Sequence, residues 1–127
     1  MHLPSLEAVD DALFDRLVSV NLKGACNVMR LAAKRVSAGG RIVNLSISAC
    51  GLALPGYSVD AATKSAVETM GEILSKKLRG RDTTVNAVAP APVATDLFFE
   101  GKTSEQIERL EKMPAPFRFS WGPMVDG

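Results

Sequence analysis

The chain has 127 residues, enough for one small domain and too few for most two-domain enzymes. Hydrophobic residues make up 46% and charged residues 23%, an ordinary globular balance that excludes a disordered or collagen-like chain. Lysine and arginine number 15 against 14 acidic residues, a net charge of +1, which lacks the basic excess that nucleic-acid binding needs. Cys26 and Cys50 have no C-x-x-C spacing and His2 is the single histidine, so no zinc site can be assembled and the cysteines read as buried free thiols. No apolar run approaches the ~20 residues of a membrane span, and Met1-His2-Leu3-Pro4 is not a secretory signal. These features predict a soluble, reducing, cytoplasmic setting, with neither a nucleic-acid nor a membrane partner.

Asp10 and Asp11 precede apolar residues at Leu13, Phe14, Leu17, Val18, Leu22, Ala25, Val28, Met29, Ala32, Ala33 and Val36. This spacing returns to one helical face and predicts a long first helix over 10–37, stopped by Gly39-Gly40. Arg41 to Leu45 is a short β-branched run bounded by turn residues and predicts a buried strand. Gly51, Pro55 and Gly56 break any period between Ser46 and Tyr57, predicting a loop. A second long helix is expected over 59–79, with Ala62, Ala66, Val67, Met70, Ile73, Leu74 and Leu78 on one side and Gly80 as its stop. Thr83 to Val88 reads as a second strand, halted by Pro90 and Pro92.

The order helix, strand, helix, strand with short connections argues for an α/β fold with a parallel sheet covered by helices. Thr103-x-x-Gln106 is a capping box opening a short polar helix to about Lys112. Residues 113–127, with Pro114, Pro116, Pro123, Gly122 and Gly127, read as an irregular tail after a domain spanning 1–112. Two parallel strands are few for a sheet that usually has about five or six, so the chain reads as part of something larger.

Several ordered blocks then carry a resemblance. They are Phe14-Asp15-Arg16 with Val20-Asn21-Leu22-Lys23-Gly24, then Asn44-Leu45-Ser46-Ile47-Ser48-Ala49-Cys50-Gly51 with Pro55-Gly56. Ala61-Ala62-Thr63-Lys64-Ser65-Ala66-Val67-Glu68 and Val85-Asn86-Ala87-Val88-Ala89-Pro90 complete the set. From about residue 6 to residue 100 the chain resembles the short-chain dehydrogenase/reductase family. That resemblance implies a Rossmann-type doubly wound parallel sheet in a domain of about twice this length. The present chain would be a partial version of it, a helix-strand-helix-strand core plus a short C-terminal helix, similar to the central to C-terminal part of the family fold. It also implies an NAD(P)(H)-dependent oxidoreductase acting on a carbonyl or alcohol, with NAD or NADP as cofactor.

Two family features have no counterpart in the sequence. No glycine-rich G-x-x-x-G-x-G string is present to hold the cofactor pyrophosphate at a helix N-terminus. Met1 is then expected to be either an internal methionine of a longer frame or the start of a truncated gene. The second feature is the family's Y-x-x-x-K pair, which places tyrosine, the acid/base, one helical turn before a lysine that lowers its pKa and binds the nicotinamide ribose. Lys64 matches the lysine, and four residues earlier stands Asp60. Tyr57 belongs to the preceding loop and does not take the role.

A carboxylate is shorter than a phenol, and acid/base work needs contact at about 2.6–3.2 Å. Its reference pKa of about 3.9 against about 10 leaves it no proton to give at neutral pH. Asp60 therefore reads as one half of an Asp60–Lys64 surface pair, or as altered chemistry.

By the same resemblance Ser48 matches the substrate-polarising serine, through S-x-x-G from Ser48 to Gly51, with Ser46 as an outside candidate. Asn21 matches the helix asparagine that holds a water of the proton relay. Pro90, Val93 and Thr95 match the segment at the nicotinamide end, where Ala91 replaces the usual glycine. Asn86 reads as structural. The isolated chain is expected to be inactive as a dehydrogenase. Two alternatives stand beside the enzyme reading. One is a non-catalytic partner forming a homodimer, or a hetero-oligomer with a full-length relative, through helices 10–37 and 59–79. The other is a truncated gene product.

Overall fold

A computed structural model describes residues 4–47, 50, 56–90, 103–105 and 108. A 3₁₀ turn at Leu6–Ala8 leads into helix α1 (Asp11–Leu17), a π-helical turn (Val18–Lys23) and helix α2 (Gly24–Arg35). Strand β1 (Arg41–Leu45), helix α3 (Ser58–Lys77), a 3₁₀ turn (Arg79–Arg81) and strand β2 (Thr84–Val88) follow. Asp10 caps α1, its carboxylate accepting from the Leu13 backbone N–H at 2.8 Å, so the first turn's free donors are met where the sequence places them. The expected single helix is thus interrupted. The π turn, seen in the Gly24 N–H bonding to the Ser19 carbonyl five residues back, takes up one extra residue and shifts the apolar register between α1 and α2.

The strands pair in parallel, Ile42 opposite Val85 and Asn44 opposite Ala87. This is the sheet that the helix-strand-helix-strand order predicts, and its β-branched residues explain why it forms. One face carries Ile42, Asn44, Val85 and Ala87 and is covered by α2 and α3. There Met29, Val59, Val67, Leu78, Val85 and Ala87 make the core. Gly71 lets α3 come close: a Cβ on it would lie 2.8 Å from the Asn44 amide nitrogen and 3.6 Å from a Val85 methyl. The opposite face, with Val43 and Leu45, is exposed. In a doubly wound sheet that face takes further helices.

The turn between α2 and β1 is held by two arginines. Arg81 donates to the Ala33 carbonyl at 2.7 Å and to the Val36 carbonyl, satisfying acceptors left free where α2 ends. Arg41 donates to the carbonyls of Gly39 and Gly40 at 2.6 and 2.9 Å. Gly39 has φ +77°, as expected for the turn after α2. Gly80 plays no such part. It lies inside the 3₁₀ turn, and Asp82, at φ 51°, takes the left-handed conformation that reverses the chain after α3. Aspartate tolerates that region through local hydrogen bonding better than bulkier residues do.

The polar helix expected after Thr103 is helical at Ser104, Glu105 and Glu108, and residues 113–127 lie outside the described residues. Among the described residues no helix is long and apolar enough to cross a membrane.

Candidate active site

The C-terminal ends of β1 and β2 lie side by side, Leu45 opposite Val88, and the chain leaves them at Ser46 and Ala89. Ligands in open α/β sheets bind outside these ends. Helix α3 runs past them, and its spacing puts Asp60, Lys64 and Glu68 in one column at i, i+4 and i+8. The Lys64 ammonium donates to the Leu45 carbonyl at 3.3 Å, which anchors the lysine at the end of β1.

Asp60 stands in the first turn of α3, where the helix dipole favours an anion. It does not pair with Lys64. Its carboxylate accepts from the Asn21 side-chain amide at 2.7 Å, and the same amide nitrogen lies 3.2 Å from the Thr63 hydroxyl. The Thr63 hydroxyl in turn donates to the Asp60 backbone carbonyl at 2.7 Å. The Asp60–Lys64 surface pair is therefore corrected. Asn21 projects from the π turn into the half-buried seam against α3 and offers Asp60 a donor, while Lys64 leans toward the strand end. Among the described residues the ion pair is Lys76–Glu72 at 2.8 Å, on the outer side of α3.

Ser46 is 3% exposed and its hydroxyl is committed to the Glu68 carboxylate, an arrangement that leaves it no free proton to present to a substrate. Cys50 lies 3.6 Å from the Ser46 hydroxyl, and its thiol donates to the Ala61 carbonyl at 3.5 Å. Both cysteines are free and half-buried, more open than the fully buried thiols expected. Pro90 follows β2 at this same end of the sheet and is exposed. Ser48, Val93 and Thr95 lie outside the described residues. Asn86 donates to the Thr84 hydroxyl at 3.5 Å. Thr63 and Glu68 were not singled out by sequence reasoning, although the i, i+4, i+8 spacing of Asp60, Lys64 and Glu68 was a signal that could have found the latter.

A sequence profile described as Enoyl-(Acyl carrier protein) reductase matches residues 2–119. The chain belongs to the short-chain dehydrogenase/reductase family. It is 48% identical over 107 residues to a short-chain type dehydrogenase/reductase of Picea abies, covering 83% of this chain and 40% of that protein. It is likewise 48% identical over 99 residues to an NADPH-dependent aldehyde reductase-like protein, chloroplastic, of Arabidopsis thaliana, covering 76% and 37%. Among solved structures, the angucycline C-6 ketoreductase LanV with bound NADP superposes with a TM-score of 0.77 at 31% identity, over 88% of this chain and 43% of that one. A dehydrogenase/reductase from Sinorhizobium meliloti gives 0.75 at 28% identity, over 95% and 47%. The chain thus spans about 40% of the length of the curated relatives it matches. The partial Rossmann core expected from the sequence is the fold these structures share with it.

Proposed function

We propose that this chain carries the lysine side of an NADP(H)-type reductase site without a working proton donor, and that by itself it does not reduce a carbonyl. The observation that carries this reading is the Asp60–Asn21 contact at 2.7 Å. By family resemblance position 60 should give a proton to the substrate oxygen and Asn21 should hold a water of the proton relay. Here the Asn21 amide is committed to the Asp60 carboxylate, whose side chain is shorter than a phenol and so falls short of the contact distance of about 2.6–3.2 Å that proton transfer needs. Loss of a positioned acid/base alone lowers rates by about 10²–10⁴.

The nicotinamide end of a cofactor fits the residues present. An ammonium has three protons, the Leu45 carbonyl takes one, and the others are free to donate to the hydroxyls of a ribose lying beyond the ends of β1 and β2. By the family resemblance Pro90, Val93 and Thr95 would contact that end and Ser48 would polarise the substrate carbonyl. When bound, the cofactor supplies a hydride. The names of the relatives and the NADP of the LanV structure favour NADPH over NADH. The test is NADPH consumption with a panel of aldehydes and ketones. No turnover above the blank is expected, and turnover abolished by Lys64→Ala would overturn the reading.

A second reading, a non-catalytic association with another copy of the chain, is favoured by the apolar side chains on the outer helix surfaces. Val20, Val28 and Leu31 on the first helical segment are 66%, 68% and 51% exposed, and Ile73 on α3 is 63% exposed. Burying such residues against the same surface of a second copy would make an isologous contact.

A further inference from the structure

We propose that Glu68 is a positioning residue that sets where the Lys64 ammonium sits, a role that rests on the reading of Lys64 as the cofactor-side lysine. Lys64 has no carboxylate partner among the described residues, and its ammonium donates to the Leu45 carbonyl. A backbone carbonyl fixes a flexible lysine only as well as that carbonyl is itself fixed. Leu45 is the last residue of β1, and its own side chain is exposed, so side-chain packing does not hold it.

The next residue does. Ser46 is buried, its N–H donates to the Val88 carbonyl at 2.8 Å, and its hydroxyl donates to Glu68. Glu68 is one turn beyond Lys64 on α3, so the two side chains grip adjacent residues of one strand end, Leu45 and Ser46, from one helix face. Cys50 adds a weaker tie on the far side, its thiol reaching the Ala61 carbonyl on the same helix. The consequence is a closed frame: α3 to Glu68, Glu68 to Ser46, the Leu45–Ser46 peptide, its carbonyl to Lys64, and back to α3. Within it Lys64 is preorganised and has less side-chain freedom left to lose when a ligand binds.

The experiment is competitive acetylation of lysines in the full chain, read by peptide mass spectrometry, with circular dichroism recorded for every variant. Glu68→Ala is expected to speed labelling of Lys64 by about two- to tenfold, the effect of losing one hydrogen bond, with Lys34 and Lys77 unchanged. Glu68→Gln, whose amide oxygen still accepts from Ser46, is expected to restore most of the protection. Glu72→Ala is expected to act on Lys76 alone, because it removes that residue's partner. An unchanged Lys64 rate in folded Glu68→Ala would overturn the proposal, as would a uniform rise over all lysines. If Glu68→Ala loses its helical signal, Ser46→Ala deletes the same contact with one oxygen and is judged by the same two outcomes. Labelling does not depend on turnover. Selective release of Lys64 in a chain that does not bind NADPH would leave the positioning role standing and count against the cofactor reading alone.

Discussion

Replacing Gly71 by alanine sets two effects of known size against each other. In a helix interior alanine is favoured over glycine by about 1 kcal/mol. Gly71, however, is buried where α3 crosses the sheet, and the new methyl would lie 2.8 Å from the Asn44 amide nitrogen, closer than such atoms approach. That nitrogen already contacts the Met29 sulfur at 3.3 Å, so the amide has to swing away from α2 as well as from α3. Overpacking of this kind costs about 1–3 kcal/mol. The net is a destabilisation of about 0–2 kcal/mol, measured by urea or thermal denaturation. The decisive comparison is the same substitution in an Asn44→Ala background. With the amide gone, Val85 at 3.6 Å is an ordinary contact, and Gly71→Ala is expected to stabilise by about 1 kcal/mol. The same effect, in sign and size, in both backgrounds would refute the argument that the amide is what makes glycine necessary.

Other substitutions test the rest of the architecture. Arg81→Ala strips two carbonyls at the end of α2 of a charged donor and is expected to lose about 1–3 kcal/mol in urea denaturation. Arg81→Lys should recover only part of that, because one ammonium cannot reproduce the guanidinium fork. Leu31→Glu combined with Ile73→Glu places charges on both outer helix surfaces. Sedimentation velocity is expected to show the wild-type chain associating and this variant monomeric; identical sedimentation would remove the association reading.

Much of the fold was legible from local pattern, because β-branched runs and long amphipathic stretches declare themselves. Arg41–Leu45 and Thr84–Val88 pair as the sequence order requires, and α3 begins one residue before its expected start. The π turn was not legible. Val18, Leu22 and Ala25 fit one helical face almost as well with the extra residue as without it, so periodicity alone cannot detect the shift. Gly80 misled for a related reason. Glycine marks where a left-handed residue is cheap, but tertiary context put that conformation on Asp82.

At the site, the resemblance supplied Lys64 and Asn21, and the charge at position 60 was visible as a departure from the pattern. Which partner that charge takes was not. Helical spacing pointed to Lys64, four residues away, and the contact formed is with Asn21, 39 residues distant in sequence. Such a pairing depends on how the π turn aims one side chain across a packed seam.

Asp60 is tied to Asn21 and does not serve Lys64. Two double-mutant cycles, read by thermal or urea unfolding, test it directly. Asn21→Ala with Asp60→Ala is expected to give a coupling of about 1–2 kcal/mol, the value of a charge-assisted hydrogen bond in a half-buried seam. Asp60→Ala with Lys64→Ala is expected to give about 0–0.3 kcal/mol. A strong Asp60–Lys64 coupling beside a negligible Asn21–Asp60 coupling would mean that Asp60 serves Lys64 after all.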